Sequence, residues 1–542
     1  MLELLAFALA AVAVIVVLQF LADRTGLPTA ALLTVAGLVY GVLPGPNLTL
    51  DPHLILTFVI PPLIYSAALN SSLLAIRKNL RVVISMSIGL VLATAAVAGL
   101  GMDLFVPGVS LAAGIAFGAA VSPTDPVAAL AVGGRVGLPP RLITIIEGEG
   151  LLNDATALTT LTVAVTAVTT GGFSVGDAVL RFLVASAGGL VCGVLTAIAV
   201  RFLLSAVRDP LLVNCISLAT PLAAYLFGEE LHVSGVLAVA VAGLMIGHDT
   251  PRFTSGASRL QAAAVWRLAD FLIQGAVFLL VGQQIAAVIR GLRAYPVGTI
   301  VTAVIVSLGV VLLLRPLWLI LTQSLPHTLH VRRGRAASHD DAHLSGREVV
   351  VLSWAGTRGV ISLAAIFTLP LVVSGGAPFP KRDLLLFCTY VVVVVTLVVQ
   401  GITFAPLARA LGVRADPADA VQLRAEARAA GVKAARARLD QIASDRAAPE
   451  PALASLRASL DRKTRRYQQL LDRLETMEDD DAGPPSPPGY EAAVQARRAV
   501  IDAQREELLR WRDAGHLPDS SLRILERELD HEERTLPPHD DH

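Results

Sequence analysis

Between Leu2 and Ala408 the chain repeats one pattern thirteen times: a long apolar stretch closed by a short polar break. The stretches run over residues 2–22, 27–43, 52–74, 82–101, 109–133, 142–170, 177–206, 210–228, 233–248, 265–290, 296–324, 347–374 and 384–408. A helix needs about 20 such residues to cross the hydrocarbon of a bilayer. Inside lipid a single segment can satisfy its own backbone polar groups only as a helix. The pattern therefore predicts an all-α polytopic membrane protein with about thirteen transmembrane helices. Composition agrees: 54% of the 542 residues are hydrophobic and 16% are charged, against about 25% charged in soluble chains. So few charges cannot cover the surfaces of a soluble protein of this length, which excludes an ordinary cytosolic enzyme.

The charges are unevenly placed. Residues 1–408 hold 22 Lys/Arg and 18 Asp/Glu, and residues 409–542 hold 22 and 26. This divides the chain into a transmembrane domain, 1–408, and a charged helical tail, 409–542. In the tail the pattern predicts helices over Leu423–Ser444, Pro451–Asp479, Tyr490–Asp513 and Ser520–Arg534. Residues 482–489, Ala-Gly-Pro-Pro-Ser-Pro-Pro-Gly, form a linker that no helix can cross. Formal net charge is zero, which gives no reason to expect a nucleic-acid partner. Cys192, Cys215 and Cys388 lie in apolar stretches and read as packing residues. Residues 2–22 lack a basic flank and a cleavage site, so they read as a retained first span.

Loops on the cytoplasmic side of a membrane are enriched in Lys and Arg. One alternate set of loops carries fifteen, from Arg24, Arg77, Lys78 and Arg81 through to Arg332, Arg333, Arg335 and Arg347. The other set carries five: Arg181, Arg290, Arg293, Lys381 and Arg382. With an odd number of spans this places the N-terminus outside and the tail in the cytoplasm.

A charge at the centre of a membrane helix costs at least about 2.5–3.5 kcal/mol, so such residues face a cavity or a partner. Asp125, Glu147, Glu149 and Asp154 are the carboxylates concerned, with Glu147 nearer a helix start; Asp270 and Glu348 read as solvated residues near span ends. For Asp125, Glu149 and Asp154 a structural ion pair is the alternative to a role in transport. In Ser122-Pro-Thr-Asp-Pro-Val-Ala128, Pro123 and Pro126 each lack an N–H. They predict an unwound stretch whose carbonyls and Thr124 hydroxyl can bind a cation, with Asp125 adding charge or capping the following half-helix. In Glu149-Gly-Leu-Leu-Asn-Asp154, Gly150 and Asp154 share one helix face. Asn153 can hydrogen-bond a crossing backbone without adding charge. Gly356 and Gly359 flank Arg358 and weaken the twelfth segment. Arg315, inside the eleventh, needs a deep carboxylate, for which Glu149 is a candidate. With the seventh span as a linker, the two weakened segments are each the fifth of six. Matched interruptions of this kind point to the binding site of an inverted-repeat transporter.

Ser122-Pro-Thr-Asp-Pro-Val-Ala128, Glu149-x-x-x-Asn-Asp154 and Arg358-Gly-Val-Ile-Ser-Leu363 stand in the order found in the sodium/proton exchangers of the cation:proton antiporter superfamily. Over about residues 1–410 the chain resembles the electroneutral branch of that family. The resemblance implies that Asp154 carries either a proton or the cation, and that Thr124 is a further cation ligand. It implies that Asp125 and Arg358 neutralise half-helix ends at a crossing, and that Glu149 and Arg315 form a structural ion pair. Asn153 would mark the electroneutral branch, and similar proteins are homodimers whose core moves against a dimerisation domain. The chain departs from many relatives at Gly150, where they have Ser, and at Ser66, where they have an acidic residue. Ser66 is therefore a possible additional ligand.

The implied activity is exchange of protons for Na+, with Li+ or K+ also admissible, across the plasma membrane by alternating access. It would be one-for-one and electroneutral, serve pH and sodium homeostasis, and need no cofactor. A K+-selective antiporter or a uniport on the same scaffold is the alternative. A receptor with a helical output tail fits less well, and a membrane enzyme lacks support, since no His-Glu-x-x-His zinc motif occurs. His248, His327 and His330 read as loop residues.

Overall fold

Large apolar side chains stand on the outside of this protein: Leu9 and Val17, Leu180 and Phe202, Ile305 and Leu313 are all more than half exposed. Contiguous patches of this kind are foreign to a soluble surface and suit hydrocarbon. The computed structural model describes residues 2–43, 54–170, 175–207, 209–324, 344–373, 376–415, 417–444, 450–476, 490–514, 516–517 and 519–533. The chain forms two units, Met1–Arg414 and Ala415–His542.

Helices of eight or more residues in the first unit are α1 (Leu2–Thr25), α2 (Thr29–Val42), α3 (Ile60–Asn70), α4 (Val91–Phe105), α5 (Leu111–Val121), α6 (Val127–Val136), α7 (Pro140–Thr170) and α8 (Val175–Ala206). They continue with α9 (Pro210–Glu230), α10 (Gly235–Phe253), α11 (Gly256–Gln283), α12 (Val297–Leu319), α13 (Gly346–Trp354), α14 (Val360–Phe367), α15 (Arg382–Val395) and α16 (Gly401–Ala410). Among the described residues, eight helical runs are long and apolar enough to cross a membrane: those of α1, α4, α7, α8, α9, α11, α12 and the joined α15–α16. Shorter apolar helices include α2, α5 and α6. Among the described residues the fold is helical, with one isolated β-bridge between Val372 and Pro378.

Two expected segments are broken in the middle. The helix stops at Val121 and restarts at Val127, across Pro123 and Pro126. It stops again at Trp354 and restarts at Val360, across Gly356 and Gly359. The half-helices are buried, with Phe117, Val121, Leu363 and Ile366 wholly enclosed. Helix α7 packs against α5, α4 packs against α5 and α12, and α14 packs against α15. Helix α3 packs against α10, α11 and α7, and α2 lies along α11.

Some boundaries differ from the sequence reading. Helix α11 begins at Gly256 rather than near residue 265, because Arg259 and Arg267 continue the helix instead of marking a loop. His248 lies on α10, not in a loop. His327, His330, Arg332, Arg333 and Arg335 fall outside the described residues. Cys192 and Cys388 are buried, Cys215 is exposed, and all three are free thiols.

The second unit holds α17 (Pro417–Ser444), α18 (Glu450–Thr476), α19 (Tyr490–Asp513) and α20 (Asp519–Glu533). Helices α17 and α18 pair antiparallel, with Arg436 2.9 Å from Asp461. Helices α19 and α20 pair likewise, with Arg505 2.6 Å from both Asp530 and Glu533. The linker at 482–489 lies outside the described residues.

Candidate ion-binding site

Proline cannot donate to the helical ladder, so Ser122–Pro126 leaves it and its polar groups turn elsewhere. The Asp125 amide donates to the Thr357 carbonyl at 2.7 Å. The Thr357 hydroxyl donates back to the Asp125 carbonyl at 2.7 Å. The two unwound stretches are thereby joined where they cross. The close approach requires Gly359, since a Cβ there would collide with the Asp125 carboxylate.

The crossing gathers four half-helix ends, each with a partial charge from its unpaired backbone groups. Asp125 Oδ1 accepts the Val127 amide at 2.9 Å and caps the start of α6. Its other oxygen faces Gly359, the N-cap of α14. Arg358 meets the two opposite ends. Its Nε donates to the carbonyl of Val121, last residue of α5, at 3.0 Å, and its guanidinium also donates to the Gly356 carbonyl beyond α13. One carboxylate thus serves two helix starts and one guanidinium serves two helix ends. The Arg358 amide is held in turn by Thr396 Oγ1 at 3.0 Å, from the π-helical stretch Thr396–Gln400.

Helix α7 passes directly against this crossing. A Cβ on Gly150 would lie 2.7 Å from Cγ of Pro126, so only glycine lets the unwound stretch sit this close. Asn153 Nδ2 donates to the Thr124 hydroxyl at 2.9 Å and to its carbonyl at 3.2 Å. The Thr124 hydroxyl donates to Glu149 Oε1 at 2.8 Å. Glu149 is also clasped by both terminal nitrogens of Arg315, one to each oxygen, the second at 2.8 Å. Arg315 Nε donates to the Leu352 carbonyl near the end of α13 at 3.0 Å. Both charges of this pair are about 3% exposed.

Asp154 stands one turn beyond Gly150 on the same face. It is 3% exposed, and among the described residues it has no hydrogen bond and no cation; Asp125 is a like charge beside it. Asn153 Oδ1, next to it in sequence, is buried and likewise without a partner. The structure therefore leaves two kinds of oxygen uncommitted, a carboxylate and an amide carbonyl. The Thr124 hydroxyl and carbonyl, by contrast, are both engaged by Asn153.

Asp154, Asn153, Thr124, Asp125, Glu149, Arg315 and Arg358 thus meet in one buried cluster. Ser66 belongs elsewhere: its hydroxyl donates to Asp270 Oδ2 on α11. Asp270 was expected to be solvated near a span end, but it sits in the interior of a 28-residue helix, half-buried. Glu348 forms a capping box with Ser345, and Glu147 is half-buried. Thr357 has no sequence signal beyond lying in the glycine-weakened segment, and Thr396 has none. Among the described residues no three His, Cys, Asp or Glu side chains converge as a metal site.

Residues 9–410 match the family model for the transmembrane sodium/hydrogen exchangers. An uncharacterised Na+/H+ exchanger of Mycobacterium tuberculosis is 34% identical over 97% of this chain and 95% of its own length. A sodium, potassium, lithium and rubidium/H+ antiporter of Bacillus subtilis is 31% identical, over 66% of this chain and 54% of its own. The fold is also that of a sodium proton antiporter from Methanocaldococcus jannaschii, at a TM-score of 0.60 and 18% identity, covering 75% of this chain and 98% of that one. Motif order, crossed half-helices and these likenesses agree: the chain belongs to the transmembrane sodium/hydrogen exchanger family, an antiporter family and not a class of catalysts.

Proposed function

We propose that this protein exchanges one proton for one Na+ by alternating access, with Asp154 as the shared site. One observation carries the reading: a buried carboxylate without a partner lies against a crossing whose helix ends are already neutralised by Asp125 and Arg358. An uncompensated buried charge is costly, so Asp154 holds either a proton or a cation. Protonation removes the charge that would hold the cation. If only the loaded states change sides, that competition is sufficient to couple the two fluxes. Asn153 Oδ1 is a neutral ligand within the same cluster. Thr124 acts by placing Asn153 and Glu149, and Glu149 with Arg315 holds α7 against α12 and α13.

The finer assignments belong to the same reading. The protein sits in the plasma membrane with its N-terminus outside and its tail in the cytoplasm, on the strength of the loop arginines. It has thirteen spans in two inverted repeats of six, works as a homodimer and supports pH and sodium homeostasis. Residues 1–408 carry transport and 409–542 form an appended helical domain. A wider choice among Na+, Li+ and K+ is the second reading, favoured by the name of the Bacillus relative.

The test is proton flux in proteoliposomes challenged in turn with Na+, Li+ and K+, with and without a membrane potential. Wild-type protein should show cation-driven proton flux that is indifferent to potential, and Asp154→Asn should show none. Persistent coupled flux in that variant would remove Asp154 from its role.

A further inference from the structure

Asp270 is a carboxylate that the crossing does not use. It lies fifteen residues into α11, within an apolar run long enough to span a membrane. Its Oδ2 accepts a hydrogen bond from Ser66 on α3, a residue 1% exposed. Its Oδ1 is buried and has no donor among the described residues. No Lys, Arg or His forms an ion pair with it there; Arg267, one turn earlier on α11, is exposed and tied to the Ala263 carbonyl. From α3, Asn70 donates to the Ser66 carbonyl at 2.9 Å, and Tyr65 packs at a tilt against Trp266, one turn before Asp270. From α9, Ser217 accepts the Trp266 indole N–H at 2.9 Å. The groups linked to Asp270 through Ser66, or packed on Trp266 one turn before it, are thus aromatic, hydroxyl or amide.

We propose that Asp270 and Ser66 form an auxiliary binding site for a monovalent cation, in competition with a proton, on the route to Asp154. Two neighbouring relations support this. Helix α3, which carries Ser66, packs against α7, which carries Asp154. Helix α11, which carries Asp270, packs against α14, whose start faces Asp125. The chemistry matches that of Asp154: a carboxylate without a cation in an apolar span needs a positive occupant, and a hard, small cation accepts carboxylate and hydroxyl oxygens together. One carboxylate and one hydroxyl bind less firmly than a closed cage. The site therefore concentrates the ion rather than retaining it.

This rests on the antiporter reading, and one experiment separates the two. Proton flux is measured in proteoliposomes against graded Na+, Li+ and K+ for wild type, Asp270→Asn, Asp270→Glu and Ser66→Ala, at matched reconstituted amounts. Asp270→Asn should raise KM for the cation about tenfold, or about 1.4 kcal/mol, while coupled exchange persists at saturating cation. Ser66→Ala should raise KM by less, and Asp270→Glu should restore most of the loss. Unchanged KM in both Asp270→Asn and Ser66→Ala would overturn the auxiliary site and leave exchange at Asp154 standing. Loss of maximal rate in Asp270→Asn with KM unchanged, recovered by Asp270→Glu, would overturn it in favour of a purely structural bond between α3 and α11. Absence of cation-driven flux in the wild type would instead overturn the antiporter reading itself.

Discussion

Asp125 and Thr357, 232 residues apart, exchange two hydrogen bonds of 2.7 Å, one from the Asp125 amide and one from the Thr357 hydroxyl. Only the second depends on a side chain. Thr357→Val keeps the shape and removes the donor, leaving a carbonyl in the crossing without a partner. The expected loss is about 1–3 kcal/mol, read as a lower unfolding temperature in detergent. Thr357→Ser should recover it. Equal stability of the Val and Ser variants would show that the hydroxyl contributes nothing.

Glu149 and Arg315 are bound at both oxygens and both terminal nitrogens inside the protein. Removing one partner leaves a lone buried charge, at about 3–5 kcal/mol. Arg315→Gln should therefore express poorly, and the double variant with Glu149→Gln should express better than Arg315→Gln alone. Simple addition of the two single losses would contradict the pairing.

Arg358 serves two helix ends through a planar fork, which lysine does not have. Arg358→Lys keeps the charge but loses at least one of the bonds to Val121 and Gly356. Charged hydrogen bonds contribute about 1.5–3 kcal/mol each, so the variant should unfold earlier despite unchanged net charge. A wild-type unfolding temperature for Arg358→Lys would show that charge alone suffices.

If proton and cation compete at Asp154, as proposed, the sign of the pH response follows. As pH falls, the protonated form gains and the cation must displace a proton, so the apparent KM for Na+ rises. For one proton at one site the limiting slope is about tenfold per pH unit. Initial-rate titrations at several pH values measure it directly. A KM independent of pH, with rate alone changing, would point to a proton site separate from the cation site.

The sequence disclosed the site where covalent chemistry leaves little choice. Pro123 and Pro126 cannot be threaded through a regular helix, and Arg315 cannot stay unpaired in an apolar span, so the break and the need for a deep carboxylate were both legible. The crossing bonds were not, because the Thr357 hydroxyl and carbonyl and the Thr396 hydroxyl belong to residues that carry no pattern in the sequence. Gly150 reads as sharing a face with Asp154, and nothing in its spacing shows that the Pro126 ring packs onto it. Asp270 was misplaced for a different reason. Arg259 and Arg267 suggest a loop, which places the start of α11 nine residues late and puts a mid-helix carboxylate at the water edge. Charged residues at the first turns of a long helix disguise its length.

The bonds of Arg358 and Arg315 have a mechanical consequence. Between them they tie α7 and α12 to the ends of α5 and α13 and to the stretch at Thr396. Breaking such bonds in an apolar interior is costly, whereas apolar helix faces slide past one another without losing a directional contact. In the proposed alternating-access cycle the cluster would travel as a rigid block, the slip planes would run through the greasy seams, and the geometry around Asp154 would stay the same on either side.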